Sequence, residues 1–412
     1  MLILVALRHR ALSRLWIGQA LSSIGDEIYR VGLTWLAIGL IGLNTGYLAA
    51  GQAAALMIFS FVGGKWADHW HPLRAMIRID LLRMLIVLIP VVASYFTQVN
   101  LPLLFVVALA ISGLSAFFDP ALHSCLPRIS SDRKTLKAAN GLMSTTIRMA
   151  RLAGPAIVGL FSGLIPMIHF FTLDAISFGI SAYCVHSLTR GKKAHALAPA
   201  PDRPNSQSTL CEAIVSGFKA TRTVQGFSFV MWTKAITGGT WNLAVTMGFA
   251  LLVHQLTGGN AQSFGIAIAS YGLGNFCGAL TFANFRRENS YALINRGHFI
   301  LGLGFVAIGL STSIFWLLIF APLTGFFGPL GDLAFADLVQ REYDVTNIVR
   351  IYRLRTALET ASTLILMLVS PWLFQLLGVG TTISCCGLIW MACGIAGTWL
   401  QPNSVSLNYK LD

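Results

Sequence analysis

The sequence predicts an all-α integral membrane protein whose twelve transmembrane helices form two pseudo-symmetric bundles of six. Three observations carry that prediction. Of 412 residues, 55% are hydrophobic and only 11% charged, with a mean hydropathy of +0.69, which leaves too little polar surface to cover the chain in water. The apolar residues fall into stretches close to the roughly 20 residues that cross a hydrocarbon core. Lys and Arg, finally, occur in every second loop.

The basic loops hold Arg8, Arg10 and Arg14, then Arg74 and Arg78, then Arg128, Arg133, Lys134 and Lys137. Arg190, Lys192, Lys193 and Arg203 follow, then Arg286, Arg287 and Arg296, then Arg341 and Arg350. The connections between them (Asn44 to Gly46, Thr97 to Asn100, Ile165 and Pro166, Gln255 to Gln262, Ser311 to Ser313, Gly378 to Gly380) hold no basic residue. Lys and Arg stay on the cytoplasmic side during insertion. The alternation therefore orients every span and predicts a multi-pass protein of the cell inner (plasma) membrane with both termini in the cytoplasm.

Spans are expected at 12–41, 47–66, 77–95, 101–118, 140–164, 167–188, 227–253, 263–285, 293–311, 314–335, 352–374 and 378–400. Residues 1–188 then form the N-terminal bundle and 227–412 the C-terminal one. Residues 189–226 read as a cytoplasmic linker, opened by Arg190-Gly-Lys-Lys and by Pro199, Pro201 and Pro204. From Thr209 to Arg222 the linker has apolar residues at helical spacing with basic residues between them, the pattern of an amphipathic helix lying in the membrane plane. The halves resemble one another at an offset of about 214 residues, as transporter repeats do. Gly25 aligns with Gly239 and Gly64 with Gly278, each of the latter pair followed by a basic loop.

A net charge of +13 in a soluble protein would suggest nucleic acid. Here the charges flank apolar spans and act as topology signals and lipid-headgroup contacts, and no nucleic-acid-binding motif interrupts them. Seven Cys form no CxxC, so disulfides and a metal centre are not expected. The first apolar run is too long for a cleaved signal and should remain as the first span.

Charged residues inside spans are costly, roughly 2.5–3.5 kcal/mol each on insertion scales, and by default mark function. Asp26, Glu27 and Arg30 lie near the middle of the first span, with Arg30 one turn from both acids. They form either an internal ion pair that makes the span insertable, or a site where one acid exchanges a proton or holds a cationic group while the other pairs with Arg30. Lys234 and Trp241 occupy the corresponding region of the seventh span. The lysine either snorkels to the headgroups or faces the cavity, binding an anionic group or pairing with Asp26 or Glu27. Asp174 in the sixth span admits both structural and functional readings. Arg355 and Glu359, like Asp80 and Arg83, sit one turn apart toward the cytoplasmic side and suit packing or a closed gate. Arg148 and Arg151 in the fifth span have no local acid and need a partner on another helix or an anionic ligand.

Several patterns resemble the major facilitator superfamily, more narrowly its branch of drug and siderophore exporters that includes the enterobactin exporter and macrolide efflux pumps. Gln19-Ala-Leu-Ser-Ser-Ile-Gly-Asp26 is similar to that branch's opening signature. Gly64-Lys-Trp-Ala-Asp68-His-Trp-His-Pro-Leu-Arg74 is similar to the superfamily's loop motif. Phe117-Phe-Asp-Pro120-Ala121, Leu136-Lys-Ala-Ala-Asn140, Arg151-Leu-Ala-Gly154-Pro155 with Gly159, and Asp174-Ala-Ile-Ser-Phe178 follow in the family's order. The resemblance favours Asp26 as the titrating acid. It implies gating by Asp68 and Arg74, with Asp68 meeting the N-terminus of the eleventh span, where the helix dipole favours a carboxylate. It also implies an exporter motif at Gly154, Pro155 and Gly159, whose small residues let helices approach closely. The chain departs from the pattern at His69, Pro72 and Leu73, and its fourth span lacks the intramembrane Arg of many proton-coupled exporters.

The expected function is secondary active export of an amphipathic small molecule such as a siderophore, macrolide or other drug, by alternating access of two bundles. No cofactor is expected, and with no Walker A pattern and no ATPase domain the energy is expected from an ion gradient, a proton gradient first. Membrane lipids and a small substrate are the expected partners, nucleic acid is not, and the protein is expected to be a monomer. Ala139-Asn-Gly-Leu-Met143 also resembles a lipid-transporter branch, which makes lysophospholipid flipping the alternative. A membrane enzyme finds no support, with neither HExxH nor GxSxG present, and a non-transporting receptor is the remaining reading of a different class.

Overall fold

The computed structural model describes residues 10–67, 71–130, 133–189, 210–283 and 289–400. They form helices and short connections, and there is no β-strand among the described residues. In order these are α1 (Arg10–Ile41), α2 (Thr45–Ala67), α3 (Pro72–Ser94), α4 (Leu101–Ile129), α5 (Arg133–Phe161), α6 (His169–Thr189) and the short α7 (Leu210–Thr221). Next come α8 (Phe227–Trp241), a π-helical turn (Asn242–Gly248) and α9 (Phe249–Thr257), which together make one span. The remainder are α10 (Ala261–Ala283), α11 (Ser290–Gly309), α12 (Ile314–Glu342), α13 (Val345–Leu377) and α14 (Val379–Leu400). Twelve spans result, and eight stretches of the described residues are long and apolar enough to cross a membrane on composition alone.

Local chemistry sets several of the ends. Asn100 and Asn289 cap α4 and α11 by accepting hydrogen bonds from the backbone N–H groups of Leu103 and Ala292. Gly258 stops α9 in the left-handed conformation, with φ of 62°. Four helices outrun the predicted spans on the side of the basic loops: α4 continues to Ile129, α5 starts at Arg133, α12 ends at Glu342 and α13 starts at Val345. A hydropathy ruler measures the hydrocarbon core, whereas these extensions bury their apolar stripe against one another. In one cluster Phe118, Cys125, Leu126, Ala139 and Leu142 pack with Leu12, Leu15 and Met76. In another Phe335, Leu338 and Val339 pack with Ile294, Ile351 and Leu354.

Contacts divide the chain into two compact units, Met1–Gln207 with Gly259–Ala269, and Ser208–Gly258 with Ser270–Asp412. In the first, α1 packs antiparallel on α6 along Gly18, Gly25 and Gly32, seven residues apart. A Cβ on Gly18 would stand 2.9 Å from the Cβ of Cys184, so only glycine permits the approach. In the second, Gly302 and Gly309 of α11 face Gly387 and Gly380 of α14 at the same spacing, backbone against backbone.

The helix expected in the linker is α7, and two of its apolar residues pack on the second unit. Ile214 and Phe218 pack into the core of the second unit, Gly217 sits against Leu354 of α13, and Phe218 contacts Trp232 of α8 at 5.7 Å between ring centroids.

Candidate functional site

In the first unit, Glu27 stands at the centre of an ion network. It lies 17 residues into α1, about 25 Å along the helix at 1.5 Å per residue. Its carboxylate accepts from Arg30 Nε at 2.9 Å and also from Arg30 Nη2, and lies 3.8 Å from Arg151 Nε on α5. Gly154 makes this possible, because a Cβ there would come within 2.5 Å of the Glu27 Cβ. Small size at Gly154 thus serves a particular side chain as well as helix approach. Arg30 and Arg151 keep 41% and 63% of their side chains exposed, and Arg148 on the same helix is exposed too. Pro155 is buried beside Gly154, and Gly159 packs on the backbone of Gly265. Asp26 makes no hydrogen bond or ion pair among the described residues, so Glu27 is the acid that pairs with Arg30.

A second group in that unit is fully enclosed. Asp80 on α3 accepts a hydrogen bond from Ser181 of α6 at 2.7 Å and lies 3.9 Å from Arg83 Nη1. Ser181 in turn accepts from Gln19 of α1 at 3.1 Å. One helical turn apart on α6, Ser177 donates to Asp174 Oδ1 at 3.3 Å, and Gly25 leaves room for both side chains. The Arg83 guanidinium rests on the rings of Phe118 and Phe178, 4.7 and 5.4 Å from their centroids. Asp80 and Arg83 are therefore embedded among α1, α3 and α6.

In the second unit, Lys234 finds its partner inside the unit. Its Nζ is 2.7 Å from Asp332 Oδ1 of α12, and Arg355 Nη2 of α13 is 3.2 Å from the same oxygen. Arg355 Nε also donates to Glu359 at 2.6 Å. Both cations lie over the Phe335 ring, Lys234 at 5.7 Å and Arg355 at 4.8 Å. Gly238 of α8 admits the Glu359 side chain, since a Cβ there would meet its Cγ at 2.7 Å. The lysine is thus engaged in an ion pair within its own unit. Trp241 donates to the Tyr271 hydroxyl at 3.0 Å. The π turn begins one residue later, where Asn242 donates both to the Gly238 carbonyl and to Thr363 of α13, each at 3.1 Å. Turns of this kind occur frequently at functional positions in helices.

Of the expected gating residues, Arg74 is exposed in the first turn of α3, and Asp68 lies outside the described residues. Sequence reasoning missed Asp332, which joins Lys234 to the Arg355 and Glu359 pair, although a lone acid in the tenth span was itself a signal. It also missed Tyr29 and His298. His298 is buried edge-on against Trp390, whose indole donates to Thr240 at 2.9 Å.

Residues 3–328 match the family described as transmembrane secretion effector. A search of curated proteins gives no match. Among solved structures, a POT family transporter in complex with a thioalcohol-conjugated peptide superposes with a TM-score of 0.68 at 14% identity, over 94% of this chain and 95% of that one. A POT family transporter in complex with 5-aminolevulinic acid gives 0.70 at 14% identity, over 95% and 96%. At that identity the likeness is one of fold, and the fold is that of the major facilitators. Twelve membrane-spanning helices of this architecture, together with a family match over residues 3–328, place the chain in the transmembrane secretion effector family of the major facilitator superfamily, as a multi-pass membrane transporter.

Proposed function

We propose that the protein is a proton-coupled exporter of an amphipathic small molecule, of siderophore, macrolide or drug type, acting in the cell inner membrane with both termini cytoplasmic. The observation that carries this reading is the exposure of charge at depth. Arg30 is 11 residues, about 17 Å, from the nearer end of α1, and Arg151 is 10 residues, about 15 Å, from the nearer end of α5. Their side chains are nevertheless 41% and 63% exposed. Guanidinium groups at that depth do not face hydrocarbon, so they line aqueous space reached by substrate. Arg148, Arg151 and Arg30 would hold acidic or hydrogen-bonding groups of the cargo, and Glu27 would keep the arginines in position or bind a cationic group. The cluster of Lys234, Asp332, Arg355 and Glu359 would serve the second unit in the same way.

Proteoliposomes with an imposed pH gradient test the proposal, using a macrolide and a catecholate siderophore as soluble cargo and a lysophospholipid as the competing one. Gradient-driven movement of a soluble cargo, reduced at least tenfold by Arg151→Ala, is the expected result. Leaflet-to-leaflet transfer of the lysophospholipid alone would replace export by lipid flipping. Movement of soluble cargo that ignores the pH gradient would remove the proton from the mechanism.

A further inference from the structure

The enclosed group around Arg83 has no role in the ion network at Glu27, and its hydrogen bonding is incomplete. Asp80 and Asp174 are both 0% exposed. Asp80 Oδ1, Asp174 Oδ2, Arg83 Nε and the Tyr29 hydroxyl are buried without a hydrogen-bond partner. Native interiors satisfy nearly all such atoms, so four orphans in one charged group need an explanation. The groups also act on one another. Asp174 lies within electrostatic reach of Asp26, Arg83 and Asp80, and Tyr29 within reach of Asp174 and Asp26.

Charge counting supplies the explanation. Asp80 lies 3.9 Å from the Arg83 guanidinium and Asp174 is within its electrostatic reach, so with both acids ionised the three residues carry a net charge of −1. One added proton makes the group neutral and turns one orphan carboxylate oxygen into a donor. The second unit differs, because Lys234, Arg355, Asp332 and Glu359 already balance. Other charged groups facing the enclosed group are Asp26 of α1 and, from α4, Asp119, which Arg83 also influences. Both are acids, which deepens the excess.

We propose that Asp80 and Asp174, gathered around Arg83 between α1, α3 and α6, share the exchangeable proton that drives transport, and that Glu27 and its arginines serve the cargo. This rests on the proton-coupled reading above. The carboxylate takes one proton from water on the side that is open, carries it as a neutral O–H, and returns it to water on the other side. Ser181 of α6 donates to Asp80, and Ser177, one turn earlier on the same helix, donates to Asp174. The state of the site reaches the cargo through α1, because Gly25 packs directly on Asp174 and Ser177 while Glu27 follows two residues later.

Infrared difference spectra of the purified protein between about pH 5 and pH 9 read the proton without any cargo. The wild type should show the C=O stretch of a protonated carboxyl that disappears on raising the pH. Asp174→Asn or Asp80→Asn should abolish it, and Glu27→Gln should leave it in place. A band that survives both Asp80→Asn and Asp174→Asn, or that is lost in Glu27→Gln, overturns the proposal. Should either Asn variant fail to fold, Ser181→Ala keeps the test open. Loss of the hydrogen bond to Asp80 should move the band's midpoint by roughly one pH unit, and an unmoved midpoint counts against the site. If the band behaves as expected while the proteoliposomes ignore the pH gradient, the site stands and proton-driven export falls.

Discussion

Replacing Asp332 by Asn should destabilise the second unit far more than replacing Lys234 by Met, although the two residues form one ion pair. The reason is their unequal surroundings. Lys234 keeps only 6% of its side chain exposed, and its Nζ has Asp332 as its ion-pair partner at 2.7 Å. Asp332 is 50% exposed and still has Arg355 at 3.2 Å. Removing the acid leaves a buried ammonium without a counter-charge, a defect of about 3 kcal/mol at the lower edge of the range for broken buried pairs. Removing the lysine leaves an acid that water and Arg355 still solvate, so the loss should be near that of a partly exposed pair, about 1 kcal/mol. The double variant has no stranded charge and should resemble Lys234→Met. SDS-titration unfolding of the purified protein, followed by tryptophan fluorescence, measures all three differences. A Lys234→Met loss as large as that of Asp332→Asn, or a double variant no better than Asp332→Asn, would refute the asymmetry.

Three further outcomes are expected. Gly302→Leu should destabilise by roughly 1–3 kcal/mol or more through overpacking against the Gly387 carbonyl and Met391, while Leu303→Ala one residue on, where the side chain is 53% exposed, should leave the apparent melting temperature in detergent nearly unchanged. Trp390→Phe keeps the ring packing on His298 and Phe305 but loses the hydrogen bond to Thr240, which should cost about 1 kcal/mol on the same SDS titration. Gly154→Leu should displace Glu27 and break its contact with Arg151; cargo binding by the purified protein should fall at least tenfold while expression in the membrane is retained, and unchanged affinity would remove the α1–α5 pairing from the site.

Much of the fold was readable because lipid imposes simple rules. Apolar stretches of membrane-crossing length located the spans. Helix ends were read less well where hydropathy was the guide, as at Ile129 and Val345. There the burying surface is another helix, whose presence a hydropathy window does not register. The site was half legible. Local pairs such as Arg30 with Glu27 and Arg355 with Glu359 follow from helical spacing. Pairs such as Lys234 with Asp332, or Ser181 with Asp80, span 98 and 101 residues and leave no periodic trace.

By itself, then, the sequence determined the solvent, the number of the helices, and the fact that charge is carried deep within them. Insertion energetics act on each segment separately, so composition was enough. Only the tertiary structure decided which charges meet, that Glu27 rather than Asp26 holds the arginines, and that Asp80 and Asp174 are both fully buried within one unit. Those outcomes depend on helix rotation and on close approach at Gly25, Gly154 and Gly238. Such packing geometry is a property of surfaces brought together from distant parts of the chain.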